Sequence, residues 1–158
     1  MEKIKWGIIG PGNIANNFAD GLKGSYSGQL VSIASKSEDR RKNFGDKYDI
    51  HPDFRFDSYE DIINSEHIDA IYISTPHTLH AEWTIKAAGK GKHILCEKPG
   101  AINFNEGKKI IDAVREAGVF YMEGFMYRCH PQIPKLVEII KNNTIGDVIS
   151  VSYTHLRA

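Results

Sequence analysis

Cysteine is scarce in the 158-residue chain: Cys96 and Cys129 are the only two, too few for a disulfide framework. A reducing cytoplasm is therefore the expected compartment. Charge of one sign is not in excess either, because 20 Lys and Arg stand against 20 Asp and Glu. A formal net charge of zero, with no clustered basic helix, argues against a nucleic-acid partner. No apolar run approaches the ~18 residues that span a bilayer. The opening Met-Glu-Lys-Ile-Lys-Trp lacks a signal-peptide pattern, so no membrane role is expected. Internal repeats and low-complexity stretches are missing as well. What remains is ordinary, with 41% hydrophobic and 25% charged residues, the composition of a soluble globular domain. Such a length suffices to bury roughly 70% of the unfolded surface.

Apolar runs alternate with helical spacing from the first residues onward. Short strands are predicted at Ile4–Ile9, Leu30–Ala34, around Phe54–Phe56, at Ala70–Ile73, His93–Cys96 and Val119–Met122. Helices are predicted over Ile14–Leu22, Glu38–Lys47, Tyr59–Ile63, Ala81–Ala88, Asn105–Ala117 and Ile133–Ile140. Strict β-α-β alternation with short links predicts an α/β domain, a doubly wound parallel sheet (Rossmann fold) with helices on both faces. A last strand is suggested from Ile145 to Val151. It either pairs at the sheet edge or begins a further domain.

Gly10-Pro11-Gly12-Asn13-Ile14-Ala15 fits G-x-G-x-x-[GA] directly after the first strand, at the mouth of the first helix. Gly10 permits the tight turn, Gly12 lets backbone approach a pyrophosphate, and Ala15 allows close helix–strand packing. The free N–H groups of the helix start, at Asn13 and Ile14, complete an anion site. A tight turn without ligand is the bland alternative. At the tip of the second strand, where a carboxylate would hold a ribose 2′-hydroxyl, the chain has Ala34-Ser35-Lys36-Ser37 with Arg40 close behind. Ser35 and Lys36, helped by Arg40, suit a 2′-phosphate, which favours NADP over NAD. Alternatively Lys36, Arg40 and Arg41 form a solvated helix face, the preferred reading for Arg41.

Three further loops follow apolar strands: Ser74-Thr75-Pro76-His77-Thr78-Leu79-His80, Cys96-Glu97-Lys98-Pro99-Gly100, and Glu123 to Pro131. In doubly wound folds such loops meet beyond the carboxyl ends of the strands, where ligands bind. Lys98 is the sharpest catalytic candidate, since a lysine beside the cofactor can donate to a substrate hydroxyl and tune its ionisation. Its alternative is a surface lysine paired with Glu97. The histidines lie on separate elements without a ligand pair plus carboxylate, so no metal is expected. Cys96 ends an apolar strand and is expected in the core rather than as a nucleophile.

The glycine loop, Ser74-Thr75-Pro76, His80, Glu97-Lys98-Pro99 and Tyr127-Arg128-x-His130-Pro131 together resemble the glucose–fructose oxidoreductase/inositol dehydrogenase (Gfo/Idh/MocA) family. The likeness runs from residue 2 to about 150 and lies nearest the dihydrodiol/NADP-dependent xylose dehydrogenase branch. It implies that Gly10, Gly12 and Ala15 hold the pyrophosphate, Thr75 and Pro76 line the cofactor channel, and Glu97 approaches the nicotinamide ribose. Lys98 would lie between cofactor and substrate, with the Lys98-Pro99 bond often cis in relatives. His80 would help form the cofactor pocket, or else be a histidine at a helix start. Arg128 and His130 would sit near the nicotinamide, or else cap the helix after Pro131. The reaction implied is oxidoreduction at a CH–OH group of a sugar, polyol or diol, in a parent that is a homo-oligomer. The other reading is a dinucleotide-binding sensor without catalysis.

Full-length members of that family carry a second α+β domain that supplies most substrate contacts and the remaining acid/base residue. The 158 residues hold only the nucleotide-binding part, residues 1–150, so binding without turnover is expected. Residues 151–158, Val-Ser-Tyr-Thr-His-Leu-Arg-Ala, resemble a translated transposase-type sequencing adapter, and are expected to be a non-native tail or the start of the missing domain.

Overall fold

A computed structural model describes residues 2–150; the expectation for residues 151–158 lies outside them. One compact unit spans Met1–Gly124, and a second begins at Phe125. The first unit holds a six-stranded parallel sheet in the order β3-β2-β1-β4-β5-β6. Its strands are β1 (Ile4–Ile9), β2 (Gly28–Ala34), β3 (Arg55–Phe56), β4 (Ala70–Ile73), β5 (His93–Cys96) and β6 (Tyr121–Glu123). Five helices connect them: α1 (Asn13–Lys23), α2 (Glu38–Lys47), α3 (Tyr59–Asn64), α4 (His80–Gly89) and α5 (Phe104–Ala117).

Side-chain alternation along the strands divides the core into two layers. On one face Ile9, Ile71, Ile73, Ile94 and Cys96 meet Ile62, Trp83, Ala87, Ile110 and Val114 from α3, α4 and α5. On the other Ile8, Ile33 and Tyr72 meet Ala15, Ala19 and Phe44 from α1 and α2. Helices therefore cover both faces, as the alternating pattern predicts. Local caps fix where several helices start: the hydroxyls of Ser37 and Ser58 accept from backbone N–H groups of α2 and α3, and Asn103 does the same for α5. Gly118, at φ 65°, ends α5 in the left-handed region open to glycine.

Two expectations shift. The last strand of the sheet is β6 at Tyr121–Glu123 rather than Val119–Met122, because Val119 and Phe120 are used in leaving the αL turn at Gly118. The strand suggested from Ile145 is not formed over residues 145–150. Gly146, at φ 76°, closes a turn onto Asn143 O instead. Within the second unit, α6 (Gln132–Lys141) follows a short 3-10 turn at Met126–Cys129.

Candidate functional site

The order of the sheet reverses between β1 and β4, which opens a crevice at the carboxyl ends of these central strands. Gly10 lies there at φ 92°, and a β-carbon on it would meet Ser74 O at 3.0 Å. Only glycine fits that turn without strain. Gly12 differs, since a β-carbon there would find no atom within 4 Å. Its conformation is ordinary and the space above it is open. α1 begins on Gly12 with no side-chain cap and no acidic residue in its first turn. The first N–H groups of a helix have no intrahelical acceptor, so the start at Asn13, Ile14 and Ala15 presents donors and partial positive charge to that space. Ala15 itself is fully buried against the sheet.

Across the crevice, Ser74 donates its hydroxyl to Gly10 O at 2.7 Å. Thr75 is buried, and its hydroxyl has no hydrogen-bond partner among the described residues. A buried hydroxyl without a partner is costly unless a ligand completes it. Pro76 is exposed beside it. His80, at the start of α4, is wholly buried, with Nδ1 2.8 Å from Pro99 O and Nε2 2.8 Å from Thr75 O. Each ring nitrogen thus lies against a protein carbonyl; a neutral ring donates to one of the two, and neither nitrogen is presented to a ligand.

The Glu97-Lys98-Pro99 turn leaves β5 with its Lys98-Pro99 bond cis. Glu97 Oε1 accepts a hydrogen bond from the Tyr72 hydroxyl at 2.6 Å, while Gly100 N donates to Glu123 Oε1 at 2.9 Å. Among the described residues no ion pair joins Lys98 to Glu97; the lysine is exposed, leaving its ammonium available to a ligand. The Cys96 thiol, buried behind this turn, is pushed up to about 12 by loss of solvent, which makes it inert as a nucleophile.

At the tip of β2, the Ser35 hydroxyl accepts from Ser37 N at 3.2 Å and keeps its own proton free to donate. Lys36 and Arg40 are exposed on the same turn, with Lys36 Nζ 5.8 Å from the centre of the Tyr59 ring. Arg41 is half-buried rather than fully solvated: its Nη1 donates to Ser35 O at 2.7 Å and buttresses the turn. Sequence reading missed this, as it missed Tyr72, a residue in a four-residue apolar strand. A buried tyrosine needs a partner for its hydroxyl, and that requirement was the available signal. In the second unit Arg128 is exposed, and His130 Nδ1 accepts from Gln132 N at the start of α6. Among the described residues no three His, Cys, Asp or Glu side chains gather as metal ligands would, and no helix is long and apolar enough to cross a membrane.

Residues 4–125 match the family model described as oxidoreductase family, NAD-binding Rossmann fold (GFO_IDH_MocA). The chain belongs to the Gfo/Idh/MocA family. It is 33% identical over 92% of its length to trans-1,2-dihydrobenzene-1,2-diol dehydrogenase of Mus musculus, covering 44% of that protein. It is 34% identical over 94% of its length to D-xylose 1-dehydrogenase (NADP(+)) 2 of Haloferax volcanii, covering 45% of it. The crystal structure of KijD10, a 3-ketoreductase from Actinomadura kijaniata in complex with NADP, superposes with a TM-score of 0.84 at 31% identity. That alignment covers 92% of this chain and 46% of the other. The chain spans about half the length of the curated relatives it matches. It is an NAD(P)-binding Rossmann domain of this family, with the sugar and diol dehydrogenase branch among its homologues.

Proposed function

We propose that the chain is the cofactor half of an oxidoreductase that prefers NADP over NAD and acts on a CH–OH group of a sugar, polyol or diol. The observation that carries this reading is the pairing of an uncapped helix start over open space at Gly12 with an unpartnered buried hydroxyl at Thr75 across the crevice. Both call for a ligand that is anionic at one place and hydrogen-bonding at another, as a dinucleotide is. The residues present fit the group. Gly10, Gly12, Asn13, Ile14 and Ala15 would hold the pyrophosphate; Ser74, Thr75 and Pro76 would line the channel. Ser35, Lys36 and Arg40 would take a 2′-phosphate, a preference in keeping with the NADP(+)-dependent D-xylose 1-dehydrogenase of Haloferax volcanii and with KijD10 in complex with NADP. Glu97 would hold the nicotinamide ribose, and His80 would fix the shape of the channel where it lies against the Thr75 and Pro99 carbonyls.

A bound nicotinamide would supply or accept the hydride. Lys98 is assigned to the substrate oxygen. Its ammonium would hydrogen-bond the hydroxyl and ease loss of the hydroxyl proton to a base outside these residues, leaving an alkoxide that becomes the carbonyl as hydride departs. In the reverse direction it would donate to the carbonyl oxygen as hydride arrives. Hydride transfer needs the reacting carbons ~3–3.5 Å apart with water excluded. Lys98 is exposed, so the rest of the enclosure, and the choice of substrate, falls to residues outside these 158. The chain by itself is therefore assigned binding without turnover, and the parent enzyme a cytoplasmic homo-oligomer.

Fluorescence titration of the 158-residue chain with NADPH and with NADH tests the reading. Saturable binding with NADPH the tighter ligand is expected. No binding of either at millimolar concentration would overturn it.

A further inference from the structure

Tyr72 is the one residue of β4 whose side chain joins the core to the rim. Its ring is 2% exposed and stacks on Phe18 of α1, with centroids 4.1 Å apart and planes 19° from parallel. Phe18 is held in turn by Trp6 of β1, edge-on at 5.2 Å. Three aromatic rings thus run from the sheet through the helix that carries the glycine turn, and end in a phenolic hydroxyl. That hydroxyl donates to Glu97 Oε1 at 2.6 Å, a short bond of the charge-assisted kind. Burial and the neighbouring carboxylate both raise the Tyr72 phenol above its ordinary range, so it stays a donor at any working pH.

Gly124 lies beside the same carboxylate oxygen. A β-carbon at position 124 would lie 3.1 Å from Glu97 Oε1 and 3.3 Å from Cys96 O, while Gly124 N donates to that same Cys96 O at 2.7 Å. Glu97 Oε1 is therefore held by the phenol, and the lack of a side chain at position 124 leaves it room. Its Oε2 is engaged by no hydrogen bond among the described residues.

We infer that Tyr72 is a positioning residue, which holds Glu97 in the one rotamer that turns its second carboxylate oxygen to the nicotinamide ribose of the cofactor, with Gly124 leaving space for that rotamer. The inference rests on the dinucleotide reading above and names a residue that this reading does not use. Orientation matters because a Glu side chain carries several rotatable bonds, and fixing them before the ligand arrives removes an ordering cost from binding. The stack on Phe18 adds a second effect: the carboxylate is referenced to α1, the element whose start is proposed for the pyrophosphate, so the two ends of the cofactor site are held to one scale.

The test compares two ligands on the 158-residue chain. NADPH contains the nicotinamide ribose; adenosine 2′,5′-bisphosphate lacks it and reports only the adenosine end. Tyr72→Phe keeps the ring and its stack and removes the hydroxyl alone. It is expected to weaken NADPH about five- to tenfold, the range for one lost hydrogen bond, and leave adenosine 2′,5′-bisphosphate unchanged. In a Glu97→Ala background the same substitution should have no further effect on NADPH. Gly124→Ala, which would crowd the same Glu97 oxygen and leaves Tyr72 intact, should give the same selective loss. Equal affinity for NADPH in wild type and Tyr72→Phe overturns the inference, and so does a parallel loss for both ligands, which would mark a merely structural residue. Should Tyr72→Phe not fold, Gly124→Ala decides alone, with loss confined to NADPH in favour and any other result against. Failure of the unsubstituted chain to bind either ligand removes the dinucleotide reading itself and this inference with it.

Discussion

Ser74 closes the switch point of the sheet by donating its hydroxyl to Gly10 O, 2.7 Å away across 64 residues of sequence. That closeness separates the two glycines of the phosphate turn. Gly10→Ala would add a β-carbon 3.0 Å from Ser74 O at a φ of 92°, where an L side chain is strained. A stability loss of about 1–3 kcal/mol is expected, measured by urea denaturation. Gly12→Ala meets nothing within 4 Å, so its stability should stay within about 0.5 kcal/mol of the parent while NADPH affinity falls. If the two variants lost stability equally, the open space over Gly12 would not be the ligand's.

Lys36→Asp replaces a cation at the tip of β2 with the carboxylate that suits a free 2′-hydroxyl. NADPH should weaken by about 10- to 100-fold, the value of one hydrogen bond to a charged group, while NADH is unchanged or tightens. An unaltered ratio of the two affinities would leave Lys36 as a solvated residue of the turn ahead of α2.

His80→Ala removes a ring that lies 2.8 Å from both Thr75 O and Pro99 O. Losing the ring's hydrogen bond and leaving a cavity in place of a fully buried side chain should cost about 2 kcal/mol or more. Because those carbonyls belong to the two loops that frame the channel, NADPH affinity should fall as well. A variant of full stability with normal binding would show that the loops hold without the ring.

Alkaline stability isolates Cys96. Burial raises its thiol from an ordinary 9.0 to about 12, so above pH ~9 the unfolded chain releases a proton that the folded chain keeps. Stability is then full below pH 9 and falls between 9 and 12, with a slope of up to about 1.4 kcal/mol per pH unit. Cys96→Ala should move the onset of this decline to above pH ~10, where the buried Tyr72 and Tyr121, both raised chiefly by loss of solvent, begin to contribute. Denaturation midpoints at pH 8, 9 and 10 measure it; an identical decline in both proteins would exclude the thiol.

Local chemistry was legible in the sequence, and long-range pairing was not. The glycine turn could be read because its requirements are backbone requirements within six residues. Strands Ala70–Ile73 and His93–Cys96 agree end to end with the apolar runs that announce them. The partner of Glu97 could not be read. Alternation assigns Tyr72 to a face of the sheet, yet only the β4–β5 register brings its hydroxyl to a carboxylate 25 residues on. Arg41 was misjudged for a related reason: helical spacing says which way a residue leaves the helix, but not that a long side chain folds back to a carbonyl. The strand expected from Ile145 shows the converse, because β propensity without a bonded neighbour gives no strand over residues 145–150.

The central place of β1 also sets a timetable. Its two neighbours are β2 and β4, so the first strand made is flanked on one side by residues 28–34 and on the other only by residues 70–73. On the ribosome, Gly10 must wait for Ser74, and at about 5–20 residues per second that delay is roughly 3–13 s. During it the Ile8 and Ile9 edge that later faces β4 has no native partner, so a nascent chain in this interval is one that a chaperone would need to shield.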